Sequence, residues 1–141
     1  MRRMGVDPGL RRVGLAVSDE SGEWASPHKT LAGDKLPLLV SALAQEASAL
    51  QVREIVMGLP LRMNGSAGPE AKRAELLGRA LEKASGIPVV MWDERLTTVS
   101  AERELRSSGL KGDKKKALID QAAATLLLQS YLDAQRGRGD R

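Results

Sequence analysis

Two short apolar runs, Met4-Gly5-Val6 and Val13-Gly14-Leu15-Ala16-Val17, flank the segment Asp7-Pro8-Gly9-Leu10-Arg11-Arg12. Proline presets φ for a turn and glycine tolerates backbone angles that other residues resist, so Pro8-Gly9 between two such runs reads as a hairpin. The chain therefore opens on two strands, 4–7 and 12–18, and must build a sheet around them. Asp7 ends the first strand beside the turn, where a rigid scaffold presents chemistry.

The remaining elements follow from apolar period and turn residues. Trp24 to Leu31 reads as a third strand, entered through Ser21-Gly22. Leu36, Leu39, Val40, Leu43, Ala47 and Leu50 recur at helical spacing and predict a helix over 34–50, with Pro37 tolerated in its first turn. Glu54 to Gly58 is a short strand, followed by a loop over 59–69 rich in turn residues. Ala74, Leu77, Leu81 and Ala84 predict a second helix over 70–85. Val89-Val90-Met91-Trp92 is a continuous apolar strand that stops at Asp93-Glu94-Arg95. Thr97 or Thr98 can cap a third helix reaching about Ser108. A basic loop over 109–116 leads to a last helix over 115–134, and the Gly- and Arg-rich residues 136–141 read as a basic flexible tail.

Three strands followed by alternating helices and strands predict an α/β fold. An antiparallel meander is extended by right-handed crossovers into a mixed five-stranded sheet with helices on both faces. At 141 residues the chain is expected to be one domain, 1–135, followed by the tail.

Composition narrows the chemistry. There is no cysteine, which excludes thiol nucleophiles, disulfides and zinc–thiolate sites. Trp24, Trp92 and Tyr131 are the whole aromatic content, too few for a binder of single strands by base stacking. His28 is the sole histidine, so a surface or packing role suits it better than metal ligation. The opening apolar run is too short for a signal peptide, and no run approaches the roughly 20 apolar residues of a membrane span, so a soluble, cytoplasmic protein with no membrane contact is expected. The net charge of +4 suits an anionic partner such as nucleic acid, and equally an ordinary basic surface.

Three acids stand out by position. Asp7 ends the first strand, and Asp93 and Glu94 end the last. Parallel strands place their C-terminal ends on one rim, where open α/β sheets hold ligands. Asp120 lies in Ala117-Leu118-Ile119-Asp120-Gln121-Ala122-Ala123-Ala124, a helix apolar on most faces. A buried carboxylate needs a partner. Either Asp120 pairs with one of the nearby lysines or is a helix-start acid favoured by the macrodipole, or it points to the rim and meets a metal shared with Asp7 and the 93–94 pair. Carboxylates from separate elements with no His or Cys form an oxygen-only site, which suits Mg²⁺ or Mn²⁺ and not zinc. Such ions can activate water and stabilise a leaving oxygen at a phosphodiester. Strand alternation sends Asp93 and Glu94 to opposite faces, so one of the two is the candidate ligand. Glu70, Glu75, Glu82, Glu102 and Glu104 lie among basic residues, as solvated helical faces do.

A basic element adjoins each acid in sequence: Arg11 and Arg12 follow Asp7, Arg95 follows Glu94, and Lys114, Lys115 and Lys116 precede Asp120. These residues, with Asn64 in the loop Asn64-Gly65-Ser66, are candidates for holding a polyanion near the acids.

Four motifs in order carry a family resemblance. They are Gly5-Val6-Asp7-Pro8-Gly9 with Arg12 and Gly14, Gly58-Leu59-Pro60-Leu61 with Asn64-Gly65-Ser66, Asp93-Glu94-Arg95-Leu96-Thr97-Thr98, and Asp120 with Ala122-Ala123 and the 126–132 stretch. Together they resemble the YqgF/RuvX family of RNase H-like nucleases over nearly the whole chain. The resemblance implies an RNase H-like fold and an Mg²⁺- or Mn²⁺-dependent phosphodiesterase with Asp7, Glu94 and Asp120 as its carboxylates. It also implies a role in processing the 5′ end of pre-16S ribosomal RNA, with Holliday junction resolution on branched DNA as the alternative, by a monomer or weak homodimer. No fourth acid is identified. Asp7-x-Gly9 with Gly14 also resembles the first phosphate hairpin of the actin and sugar-kinase fold, which needs two lobes where this chain supplies about one. A non-catalytic nucleic-acid-binding module is a further alternative, disfavoured by Asp120 in an apolar helix.

Overall fold

A computed structural model describes residues 1–97 and 112–139. Its elements are β1 (Arg3–Asp7), β2 (Arg12–Ser18), β3 (Ala25–Ala32), α1 (Leu36–Leu50), β4 (Glu54–Leu59), α2 (Pro69–Ser85), β5 (Val89–Asp93), a single 3-10 turn (Glu94–Leu96) and α3 (Asp113–Gly139). The five strands form one sheet in the order β3-β2-β1-β4-β5. The β1–β2 and β2–β3 pairs are antiparallel, while β4 runs parallel to β1, and β5 runs parallel to β4. This is the mixed sheet that the element order predicts. Pro27 falls on edge strand β3, where its missing N–H costs no ladder bond, next to a register shift opposite Leu15 and Ala16.

The period of two along each strand divides the core between two faces. Met4, Val6, Val13, Leu15, Ile55 and Met57 turn to one face and pack with Leu39, Leu43 and Ala47 of α1 and Leu77 and Leu81 of α2. Each fully buried leucine here contributes about 1.5–3 kcal/mol of transfer free energy. Ala16 and Val56 turn to the other face and meet Ala124, Leu128, Tyr131 and Leu132 of α3. The sheet is thus covered on both sides: two helices on one and α3 on the other.

Both α1 and α2 carry proline at their first turn, where no intrahelical N–H partner is lost. Helix α2 stops at Gly86 in the left-handed conformation. The last helix is longer than its apolar period predicts and continues through Gly139. Residues expected to begin the tail are still helical: Arg136 pairs with Asp133 one turn back and lies 5.6 Å from the centre of the Trp24 ring. The helix expected from Thr97 or Thr98 to Ser108 lies outside the described residues, as do residues 109–111 of the basic loop. Thr97 itself closes the 3-10 turn, donating from N–H and Oγ1 to the Glu94 carbonyl at 3.1 and 2.9 Å.

Candidate active site

Among the described residues four polar or charged side chains are buried, and three of them are the acids singled out by position: Asp7 (1% exposed), Glu94 (5%) and Asp120 (7%). Asp7 follows Val6, which faces α1 and α2, so alternation turns it toward α3. It sits on the central strand directly opposite Gly14 of β2. On its other side Met57 pairs with Val6, which places Gly58 at about the level of Asp7.

Those two glycines admit the other acids. A Cβ on Gly14 would stand 2.0 Å from the Asp120 carbonyl oxygen, so the backbone of α3 reaches the sheet only because Gly14 has no side chain. A Cβ on Gly58 would stand 2.6 Å from Glu94 Oε1 and 3.1 Å from Leu127. The sequence of neighbours across the rim is therefore Asp120, Gly14, Asp7, Gly58, Glu94. The start of α3 is fixed further by Thr30 of β3, whose Oγ1 donates to the Ala117 carbonyl at 2.8 Å and accepts from Gln121 Nε2 at 3.1 Å.

Among the described residues the side chain seen to bond Asp120 is an arginine and not a lysine. Arg12 Nε donates to its Oδ2 at 2.8 Å from across the sheet. Asp93 and Glu94 go to different places. Glu94 is buried under α3, whereas Asp93 caps the 3-10 turn and is gripped by Arg95. The Arg95 backbone N–H donates to Oδ1 at 2.9 Å, Nε to both oxygens at 3.1 Å, and Nη2 to Oδ2 at 2.7 Å. The Arg95 side-chain bonds hold the Asp93 carboxyl below its ordinary range against the opposing effect of desolvation, and Asp93 raises the Arg95 guanidinium in turn.

The proposed polyanion contacts divide. Arg95 also reaches the 59–69 loop: its Nη1 donates to the Met63 carbonyl at 3.4 Å and its guanidinium lies over Gly65. Arg95 and Asn64 are thereby brought together. Asn64 is exposed, and its Oδ1 accepts from Ser66 N–H at 3.0 Å and Oγ at 2.7 Å, which fixes the loop as an Asx turn. Arg11 is exposed beside the site, while Arg12 is committed to Asp120. Lys114 and Lys115 are exposed and Lys116 half-buried on the turns of α3 that lead into Asp120. His28 takes a packing role, with Nε2 at 2.9 Å from Glu46 Oε1, and Lys29 joins the same carboxylate. Those bonds hold Glu46 below its usual range, His28 being the larger cause.

Sequence reasoning missed Arg73. From α2 it donates through Nη2 to the Gly33 carbonyl at 2.6 Å and through Nη1 to the Gly9 carbonyl at 3.4 Å, while Gly33 N–H donates to the Arg11 carbonyl at 2.9 Å. It pins the turn that carries Arg11 and Arg12. Its place on the amphipathic stripe of α2 gave no signal of this, because the partners are backbone carbonyls distant in sequence.

The donor set fits a hard divalent cation: three buried carboxylates on three elements of one face, with oxygen donors only. Among the described residues, however, no three His, Cys, Asp or Glu side chains converge into a ready metal cluster.

The fold has counterparts among solved proteins. RuvC of T. thermophilus in complex with a Holliday junction substrate superposes with a TM-score of 0.64 at 15% identity, covering 97% of this chain and 96% of that one. The fowlpox virus resolvase in complex with Holliday junction DNA gives 0.58 at 13%, covering 96% and 99%. The architecture is the RNase H-like fold of the RuvC-type resolvases. Residues 1–134 match the family model RuvX, Holliday junction resolvase, and the chain belongs to that family and with it to the hydrolases acting on nucleic acid. Its relatives include proteins named "Putative pre-16S rRNA nuclease". That of Syntrophomonas wolfei is 46% identical over 94% of each chain, and that of Nocardioides sp. is 43% identical over 97% of this chain and 90% of its own. No helix among the described residues is long and apolar enough to cross a membrane.

Proposed function

We propose that the chain hydrolyses phosphodiester bonds of structured RNA, in processing the 5′ end of pre-16S ribosomal RNA, with Mg²⁺ or Mn²⁺ held by Asp7, Glu94 and Asp120. The observation that carries this is the burial of those three acids along one rim, in a chain whose relatives at 39–46% identity bear the pre-16S rRNA nuclease name. Three buried anions on one rim repel each other, and a divalent cation relieves that cost. When bound, the cation would lower the pKa of a water and neutralise charge on the leaving oxygen. The protein's own part is placement. Asp7 is fixed by the central strand, Glu94 by the 3-10 turn and Asp120 by the close contact of α3 with Gly14. Arg11, Arg95, Asn64 and the lysines 114–116 would serve as contacts for the phosphate backbone, which position without reading sequence.

A second reading, junction resolution on branched DNA, is favoured by the description of the family model. One experiment separates the two. Labelled single-stranded RNA, hairpin RNA, duplex DNA and a four-way junction are each incubated with the protein in Mg²⁺ or Mn²⁺. Cutting of hairpin RNA alone supports the first reading, and symmetric cutting of the junction by a dimer supports the second. Asp7→Asn and Asp120→Asn should each abolish cutting with unchanged circular dichroism. A variant that cuts at the parent rate refutes the site.

A further inference from the structure

Arg12 and Asp120 make an unequal pair. The Asp120 side chain is 10% exposed and that of Arg12 33%, so solvent reaches the cation and hardly reaches the anion. The contact is a single bond from the side edge: Nε alone bonds to Oδ2 at 2.8 Å, and the two terminal nitrogens make no bond among the described residues. A guanidinium offers a planar fork to phosphate, and here the fork is left over. The backbone beneath it is immobilised by the Arg73 and Gly33 bonds to residues 9 and 11. Movement at this point therefore belongs to the Arg12 side chain and not to the turn.

A cation and a guanidinium compete for the same carboxylate oxygen, because like charges at hydrogen-bond range repel strongly where solvent is scarce. Arg12 occupies Asp120 Oδ2, so a cation that takes that oxygen displaces the guanidinium. We propose that Arg12 is an exchangeable counter-ion for Asp120. It neutralises the buried carboxylate in the free protein, and the phosphodiester backbone of the nucleic acid draws it away, releasing Asp120 to the cation. Substrate and metal then bind with positive coupling, and cutting is confined to the complex that contains both. This rests on the metal site proposed above and adds an order of assembly to it. Arg12 is a positioning residue: it acts on the reaction through Asp120.

Mn²⁺ titration of the full chain, read by the electron paramagnetic resonance of free Mn²⁺, tests the proposal. It is run with and without a phosphorothioate-backbone RNA hairpin, and the hairpin's own Mn²⁺ uptake is subtracted. In the parent the hairpin should tighten Mn²⁺ binding about tenfold, a typical coupling between sites. In Arg12→Gln the free protein should already bind about tenfold tighter, with nothing added by the hairpin. Arg79→Gln, on an exposed helix face where Arg79 pairs with Glu75, makes the same charge change without touching Asp120 and should keep the parent's coupling. The proposal is overturned if Arg12→Gln matches the parent in either measurement, or if Arg79→Gln loses the coupling as well. Mn²⁺ binding by the parent with no hairpin dependence overturns the role of Arg12 and leaves the metal site standing. No Mn²⁺ binding under either condition overturns both. A measurement on the parent alone covers the case of a misfolded variant: the Arg12 Nε–H resonance should shift when hairpin is added without metal, and an unmoved resonance refutes the exchange.

Discussion

Gly14 lies against the peptide of Asp120 so closely that a methyl group in place of its hydrogen would come within 2.0 Å of the carbonyl oxygen. The neighbour is backbone in a helix already tied to Thr30, so it cannot step aside as a side chain could. Gly14→Ala should therefore destabilise the protein by about 2 kcal/mol or more, within or above the usual cost of overpacking. It should also carry Asp120 away from Asp7. Urea unfolding measures the first effect, and Mn²⁺ affinity of the folded fraction the second.

Gly58 presents the opposite balance. The atoms an added Cβ would meet are Glu94 Oε1 and a methyl of Leu127, both ends of side chains. Gly58→Ala should cost about 1 kcal/mol or less, because these groups can shift. The shift moves the Glu94 carboxylate, so Mn²⁺ binding should weaken about tenfold, the equivalent of about 1.4 kcal/mol. A variant of near-parent urea midpoint and unaltered Mn²⁺ affinity would remove Glu94 from the site.

Arg73 anchors the turn of residues 9–11 by donating to two backbone carbonyls. Arg73→Met keeps the apolar stem and loses those bonds. Hydrogen bonds from charged donors contribute about 1.5–3 kcal/mol, so unfolding free energy should fall by about that much. Amide exchange at Gly33, whose N–H donates to Arg11, should quicken. Unchanged exchange there would mean that the turn is held without Arg73.

Acid stability should report the grip of Arg95 on Asp93. Arg95 depresses the folded pKa of Asp93 below its ordinary value of 3.8. A depressed carboxyl contributes stability that is full above the unfolded value and is lost as pH falls through the folded one. Asp93→Asn should thus lower stability at pH 6 and flatten its decline below about pH 4 relative to the parent. Urea midpoints taken from pH 3 to 6 give both slopes. Parallel curves would show that the pair adds nothing.

The Pro8-Gly9 hairpin, the two amphipathic helices and the apolar strands were legible because each is a local pattern: a turn dipeptide, a period near 3.6, a short apolar run. The rim position of Asp7 followed from its place at a strand end, whereas the separation of Asp93 from Glu94, expected from strand alternation, arises because β5 ends at Asp93 and Glu94 opens the 3-10 turn. The partner of Asp120 was not legible. The lysines nearest in sequence are Lys114 to Lys116, yet the guanidinium that reaches it comes from Arg12, 108 residues away. Arg73 was invisible for the same reason. The extent of α3 past Arg136 depended on Asp133 and on Trp24, which stands far earlier in the chain.

The amino-acid order by itself determined the elements, the mixed sheet, the acids and the absence of thiol chemistry, since these depend on neighbours along the chain and on side-chain chemistry. Tertiary structure alone decided what each charge faces. Gly14 and Gly58 became the gaps through which Asp120 and Glu94 approach Asp7, and Arg12 became the counter-ion of Asp120. Burial and Coulomb energy depend on distance in space, which the spacing of residues along a chain does not contain. The opening hairpin therefore does more than place Asp7 on the rim: its second strand supplies both the glycine that admits Asp120 and the arginine that holds it.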